Sequence, residues 1–228
     1  MKLTVPIKKY EIILGFVLLL LQQIILPIGV VVISWLINLE LNLAQLNFIV
    51  MLMNFVLTIP VFFCFLKGNL KQIFTAPGRF ALFTAIGFVA YYASSIAVNL
   101  LIYAIDPDFA NVNNAFIEEM TRDNFGILFF ATVFLVPLAE ECMYRGVIFR
   151  GLHNRSRVLA YIVSILVFSA IHVVGYIGTE PLPVLLVCLL QYIPAAFVLA
   201  WSYERTDSIF APILIHTVNN CIGMLLMR

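Results

Sequence analysis

Glu140, Glu141 and Arg145 stand together in "LVPLAEECMYRGVIF", a stretch whose neighbours would suit hydrocarbon. His172, His216 and Asn220 follow in equally apolar surroundings. A charge at a bilayer centre costs roughly 2.5–3.5 kcal/mol on insertion scales, and ionisable groups kept there are functional by default. A carboxylate and an imidazole can share one water and remove its proton, making a nucleophile. A second imidazole and a carboxamide can donate to the oxyanion of a tetrahedral intermediate. Together these groups hydrolyse an amide. The same set can instead bind zinc as His₂Glu through Glu140, His172 and His216, with one open position, although no HExxH run is present. Cys142 and Ser169 are close in sequence, but neither has a base at helical spacing.

Spacing assigns faces. Glu141 and Arg145 are i, i+4 with the acid first, the favourable order for an ion pair on one helix face. Glu140 is turned about 100° from Glu141 and faces elsewhere. His216 and Asn220 share a face, and Phe168 places an aromatic ring one turn before His172. Pro137 and Pro212 precede Glu140 and His216, where each would loosen its helix. Taken singly, each group has a plainer reading. The Glu141–Arg145 pair would hold helices together and position Glu140. A lone histidine would be an interhelical hydrogen bond, and Asn220 with Asn219 would be glue between helices.

These residues need helices to hold them. The chain is 63% hydrophobic and 11% charged over 228 residues, against about 25% charged in an average soluble domain. It reads as an all-α, polytopic transmembrane bundle forming one domain over 1–228, with the chemistry in the core from about 126 to 228. A net charge of +1 argues against nucleic acid as a partner. Cys64, Cys142, Cys188 and Cys221 show no metal or redox spacing and read as reduced, buried small hydrophobes.

Seven apolar segments are predicted, at about 12–38, 46–66, 80–105, 126–152, 157–178, 182–203 and 208–227. The first has no small-residue cleavage site and reads as a retained helix, kinked or split near Pro27. Basic loops (Lys2, Lys8 and Lys9; Lys67, Lys71 and Arg79; Arg150, Arg155 and Arg157) alternate with acidic ones, which predicts a cytoplasmic N-terminus. Residues 106–125 read as a solvated loop without a role in the site. Segments four and five form a hairpin. Glu140 then lies roughly 22 Å and His172 roughly 26 Å from its turn, so all four polar groups can meet at one depth.

The motifs "EECMYR", "FSAIH" and "HTVNN" resemble the CAAX prenyl protease and bacteriocin-processing family, also called CPBP or Abi. Its pattern is EExxxR, FxxxH and HxxxN, and the resemblance covers roughly residues 130–228. Tyr144 stands where that family often has Phe. The resemblance implies an intramembrane endopeptidase of the glutamate type in a bacterial plasma membrane. Glu140 and His172 would activate water, and His216 and Asn220 would hold the oxyanion. Glu141, Arg145 and Phe168 would support them. The family core has eight spans, against the seven counted here. No cofactor is required on this reading, and zinc stays an alternative. The implied partners are the lipid bilayer and a membrane-associated protein or peptide substrate. The eukaryotic branch removes the last three residues of prenylated CAAX proteins, whereas the bacterial branch is linked to bacteriocin self-immunity. A non-catalytic immunity or binding protein on the same scaffold is the competing function. A transporter ranks third, because internal repeats and paired broken helices are not visible.

Overall fold

The computed structural model describes residues 3–228, apart from the side chain of Asp123; Lys2 and that side chain, both counted in the loop charges, lie outside the described residues. Eight helices form among the described residues, without a strand. They are α1 (Lys9–Leu36), α2 (Leu43–Thr75), α3 (Pro77–Ile105), α4 (residues 112–123), α5 (Asn124–His153), α6 (Arg157–Ile171), α7 (Leu182–Thr206) and α8 (Phe210–Leu226). Five of these, α1, α2, α3, α5 and α7, are long and apolar enough to cross a membrane; α6 and α8 are shorter apolar helices. The result is a multi-helix membrane bundle, and the seven expected segments each fall on one of its helices.

Local chemistry sets the helix starts. Asn42 caps α2 in a reciprocal box with Gln45, the two bonds being 2.9 and 3.0 Å. Asn111 Oδ1 accepts from the backbone N–H groups of Asn113 and Asn114, opening α4. α7 ends at Asp207, whose φ of 57° stops the helix in a left-handed turn.

α5 lies at the centre. It packs against α1, α2, α6, α7 and α8, while α3 runs along α7 on the other side. Every residue from Glu141 to Arg150 is buried. Two helices are widened by five-residue π turns, Leu21–Ile25 in α1 and Ala131–Leu135 in α5, and each is followed two residues later by a proline, Pro27 or Pro137. The expected loosening at Pro27 and Pro137 therefore takes the form of a π turn, with helix continuing on both sides. A second π stretch, Cys142–Arg150, completes α5.

Several expectations are corrected. Residues 67–75 belong to α2 rather than to a basic loop. Residues 112–123 are an amphipathic helix rather than a loop, kinked from α5 at Asn124. The segment 157–178 stops being helical at Ile171, because His172 is the C-cap and a short 3₁₀ turn follows. Pro212 sits in the first turn of α8, where a missing N–H is tolerated, so it loosens nothing. Cys64 is exposed on the outside of the bundle rather than buried. α7 runs past the expected segment end at 203 to Thr206, and in its last turn Glu204 is buried, its carboxylate accepting from His153, Arg157 and Tyr161. The N-terminal strand of chain is fastened beneath the bundle, where Arg150 Nε donates to the Val5 carbonyl at 2.7 Å.

Candidate active site

A cavity of about 310 Å³ lies among the helices, and Glu140, His172, His216 and Asn220 all line it. They come from α5, the end of α6 and α8, so three separate segments converge as the sequence required. The volume is at the lower end of the range in which small ligands are held.

Glu140 Oε2 is shielded from solvent and has no hydrogen-bond partner among the described residues. An orphaned carboxylate oxygen facing a cavity is expensive unless something arrives to satisfy it. His172 Nδ1 lies 2.7 Å from the Phe168 carbonyl oxygen. A carbonyl only accepts, so Nδ1 carries the proton and Nε2 keeps a free lone pair. The imidazole is also clamped between rings. Tyr192 stacks on it at 4.3 Å and Phe168 lies tilted at 4.7 Å. Asn113 Nδ2 donates to the Tyr192 hydroxyl at 3.1 Å, which ties the start of α4 to this wall.

His216 is held differently. Its Nδ1 lies 2.9 Å from Glu141 Oε1. The same oxygen accepts from Arg145 at 3.0 Å, the i, i+4 pair expected from the spacing. The second guanidinium nitrogen of Arg145 donates to the Ala196 carbonyl at 3.2 Å. Glu141 and Arg145 are both fully buried. Phe168 links the two histidines, with its ring 4.5 Å from the Arg145 guanidinium and 6.1 Å from the His216 ring. The sequence assigned Glu141 to Arg145 alone; its contact with His216 depends on how α5 and α8 are rotated against each other.

Asn220 is fixed by the π turn in α5. The N–H of Val136 bonds to the Ala131 carbonyl, five residues back. In that register the Thr132 carbonyl should receive from residue 137, but Pro137 has no N–H. Asn220 Nδ2 takes the vacancy at 2.9 Å. The other N–H of the amide remains for a ligand. Pro137 thus frees the Thr132 carbonyl, where in an α-helix it would free that of Val133, and Thr132 becomes a site residue that spacing rules could not have found.

Cys142 and Ser169 are fully buried and do not line the cavity. Among the described residues no three His, Cys, Asp or Glu side chains stand close enough together to hold a metal ion. Glu140, His172 and His216 share the cavity without forming such a cage, and no step below is routed through a metal.

Comparison with known proteins locates the same region. Residues 122–222 match the model of the type II CAAX prenyl endopeptidase, Rce1-like, family. The UPF0177 protein YxdF of Lactococcus lactis subsp. lactis (strain IL1403) is 26% identical over 89 residues, which is 39% of this chain and 44% of that protein. The chain thus spans less than half the length of this curated relative. No solved structure matches the chain. The similarity is thus to a family of CAAX prenyl endopeptidases, and five helices of the chain are long and apolar enough to cross a membrane, as in a multi-pass membrane protein. The matched residues contain all four cavity groups from α5, α6 and α8.

Proposed function

We propose that the protein is an intramembrane endopeptidase that hydrolyses a peptide bond with water activated by Glu140 and His172. The observation that carries this reading is that an unpartnered Glu140 oxygen and a His172 tautomer whose Nε2 is free line the same cavity. Water held between them gives up a proton and attacks the scissile carbonyl carbon. The C–N bond then breaks as the amine leaves with a proton returned from the same pair. Negative charge on the carbonyl oxygen is met by the free N–H of Asn220 and by His216. For His216 to donate from Nε2 it must carry a second proton, and Glu141 on Nδ1 supplies the counter-charge for that form. Arg145, bonded to the same Glu141 oxygen, orients that carboxylate toward His216.

Asn220 supplies a direct test of the positioning. Pro137→Ala gives the Thr132 carbonyl a backbone partner and releases the carboxamide. Turnover should fall about tenfold, less than the roughly 10²–10³ lost when an oxyanion donor is removed outright, with KM little changed. An unaltered kcat would argue that Asn220 does not touch the reacting carbonyl.

The proposed chemistry needs no metal. Purified protein dialysed against a chelator is expected to keep its activity, with elemental analysis showing no stoichiometric zinc. Loss of activity that zinc alone restores would overturn this part of the reading.

A further inference from the structure

Apart from the four groups above, the polar wall of the cavity is largely carboxamide. Gln22 and Gln23 come from α1, Asn47 and Asn54 from α2, and Asn113 and Asn114 from α4. No Lys or Arg lines it. Gln22 is only 8% exposed, yet its amide has no hydrogen-bond partner among the described residues; Asn54 is half-buried, and Gln23 and Asn114 are exposed where they line the cavity. A buried amide left unpaired is costly, so Gln22 is placed to meet a ligand that enters the cavity.

The chemistry of that ligand follows from the wall. Each carboxamide offers both a donor and an acceptor, as does every peptide unit. The charge inventory is one-sided. Arg145 is committed to Glu141 and the Ala196 carbonyl, and a protonated His216 has its counter-charge in Glu141, so Glu140 is the ionic group left unbalanced at the cavity. An α-carboxylate entering here would lose hydration, find no cation that lacks a counter-charge and meet a like charge.

We infer that the cavity takes an extended peptide as a neutral internal segment, and that it selects against a free α-carboxylate within its walls. The substrate class is then a membrane-associated peptide cut at a bond away from its C-terminus, not the terminal tripeptide with its free carboxylate that the CAAX resemblance implies. This rests on the peptidase reading above.

The test uses a library of apolar, fluorescence-quenched hexapeptides in detergent micelles with the full-length protein. Each peptide is made twice, ending in a carboxamide or in a free carboxylate. At neutral pH the carboxamide forms should be cleaved about tenfold faster or more, because the carboxylate enters unpaired. Asn114→Lys, on the exposed side of α4 at the cavity wall, should move the ratio about tenfold toward the carboxylate by supplying a cation. Equal cleavage, or a preference for the carboxylate, overturns the inference and leaves the peptidase reading intact. Binding to His172→Ala protein, which keeps the Glu140 charge, separates the remaining cases. If nothing is cleaved but the carboxamide peptides bind more tightly, the peptidase reading fails and the selectivity stands. If nothing is cleaved and neither form is preferred in binding, both fall.

Discussion

Glu140→Gln is expected to abolish peptide cleavage while leaving the protein folded. A positioned general base contributes about 10²–10⁴ in rate, so activity should fall by at least about a hundredfold. The substitution is nearly isosteric. It also breaks no fold contact at Oε2, because that oxygen has no partner among the described residues. Loss of activity therefore cannot be ascribed to a lost structural bond at that atom. His172→Ala should behave alike, because the proposed mechanism has the two groups share one water. The check is proteomics of membrane fractions, scoring new C-termini with wild-type and with variant protein. Undiminished cleavage by purified Glu140→Gln protein would remove Glu140 from the chemistry. If protection against a bacteriocin survived both changes, a binding role for the scaffold would be favoured instead.

Arg145→Met should be the most damaging single substitution for stability. Arg145 is fully buried, shares Glu141 Oε1 with His216, and donates to Ala196 from the neighbouring α7. Removing it leaves the Glu141 carboxylate buried with only an imidazole beside it. Breaking a buried pair in this way typically costs about 3–5 kcal/mol. Arg145→Lys should recover little, since a single ammonium cannot reproduce the planar fork that reaches two acceptors in different directions. Changing both members is a different matter. Glu141→Met combined with Arg145→Met removes the stranded charge, so the double variant should melt above the Arg145→Met single variant in detergent, though without activity. If Arg145→Met melts like wild type, the pair does not hold α5 to α7.

The apolar spans were legible because about 20 consecutive apolar residues leave an unambiguous record. The four cavity groups were legible for the opposite reason: ionisable side chains inside such spans stand out by their cost. Glu141 with Arg145, and Phe168 with His172, followed from one period within one helix. The Glu141–His216 contact did not, because it depends on the rotation of α8 relative to α5. The π turn at Ala131–Leu135 makes that rotation harder to read, since an extra residue per turn shifts every later side chain around the axis. The carboxamide wall was missed because neutral amides cost less than charges and leave a weaker signal. Gln22 and Gln23 side by side in an apolar span, and Asn54 in the next, were nevertheless visible clues. Residues 112–123 looked like a loop because their acidic, asparagine-rich composition suits one. Their face of Asn113, Phe116, Ile117 and Met120 lines the cavity, as only the fold reveals.

An experimental structure of the wild-type protein with a peptide phosphinate, which mimics the tetrahedral intermediate, tests the proposed chemistry most directly. One phosphinate oxygen is expected about 2.6–3.2 Å from Asn220 Nδ2 and His216 Nε2, and the other within the same reach of Glu140 and His172. A phosphinate bound away from the cavity, or one whose oxygens contact neither pair, would contradict it.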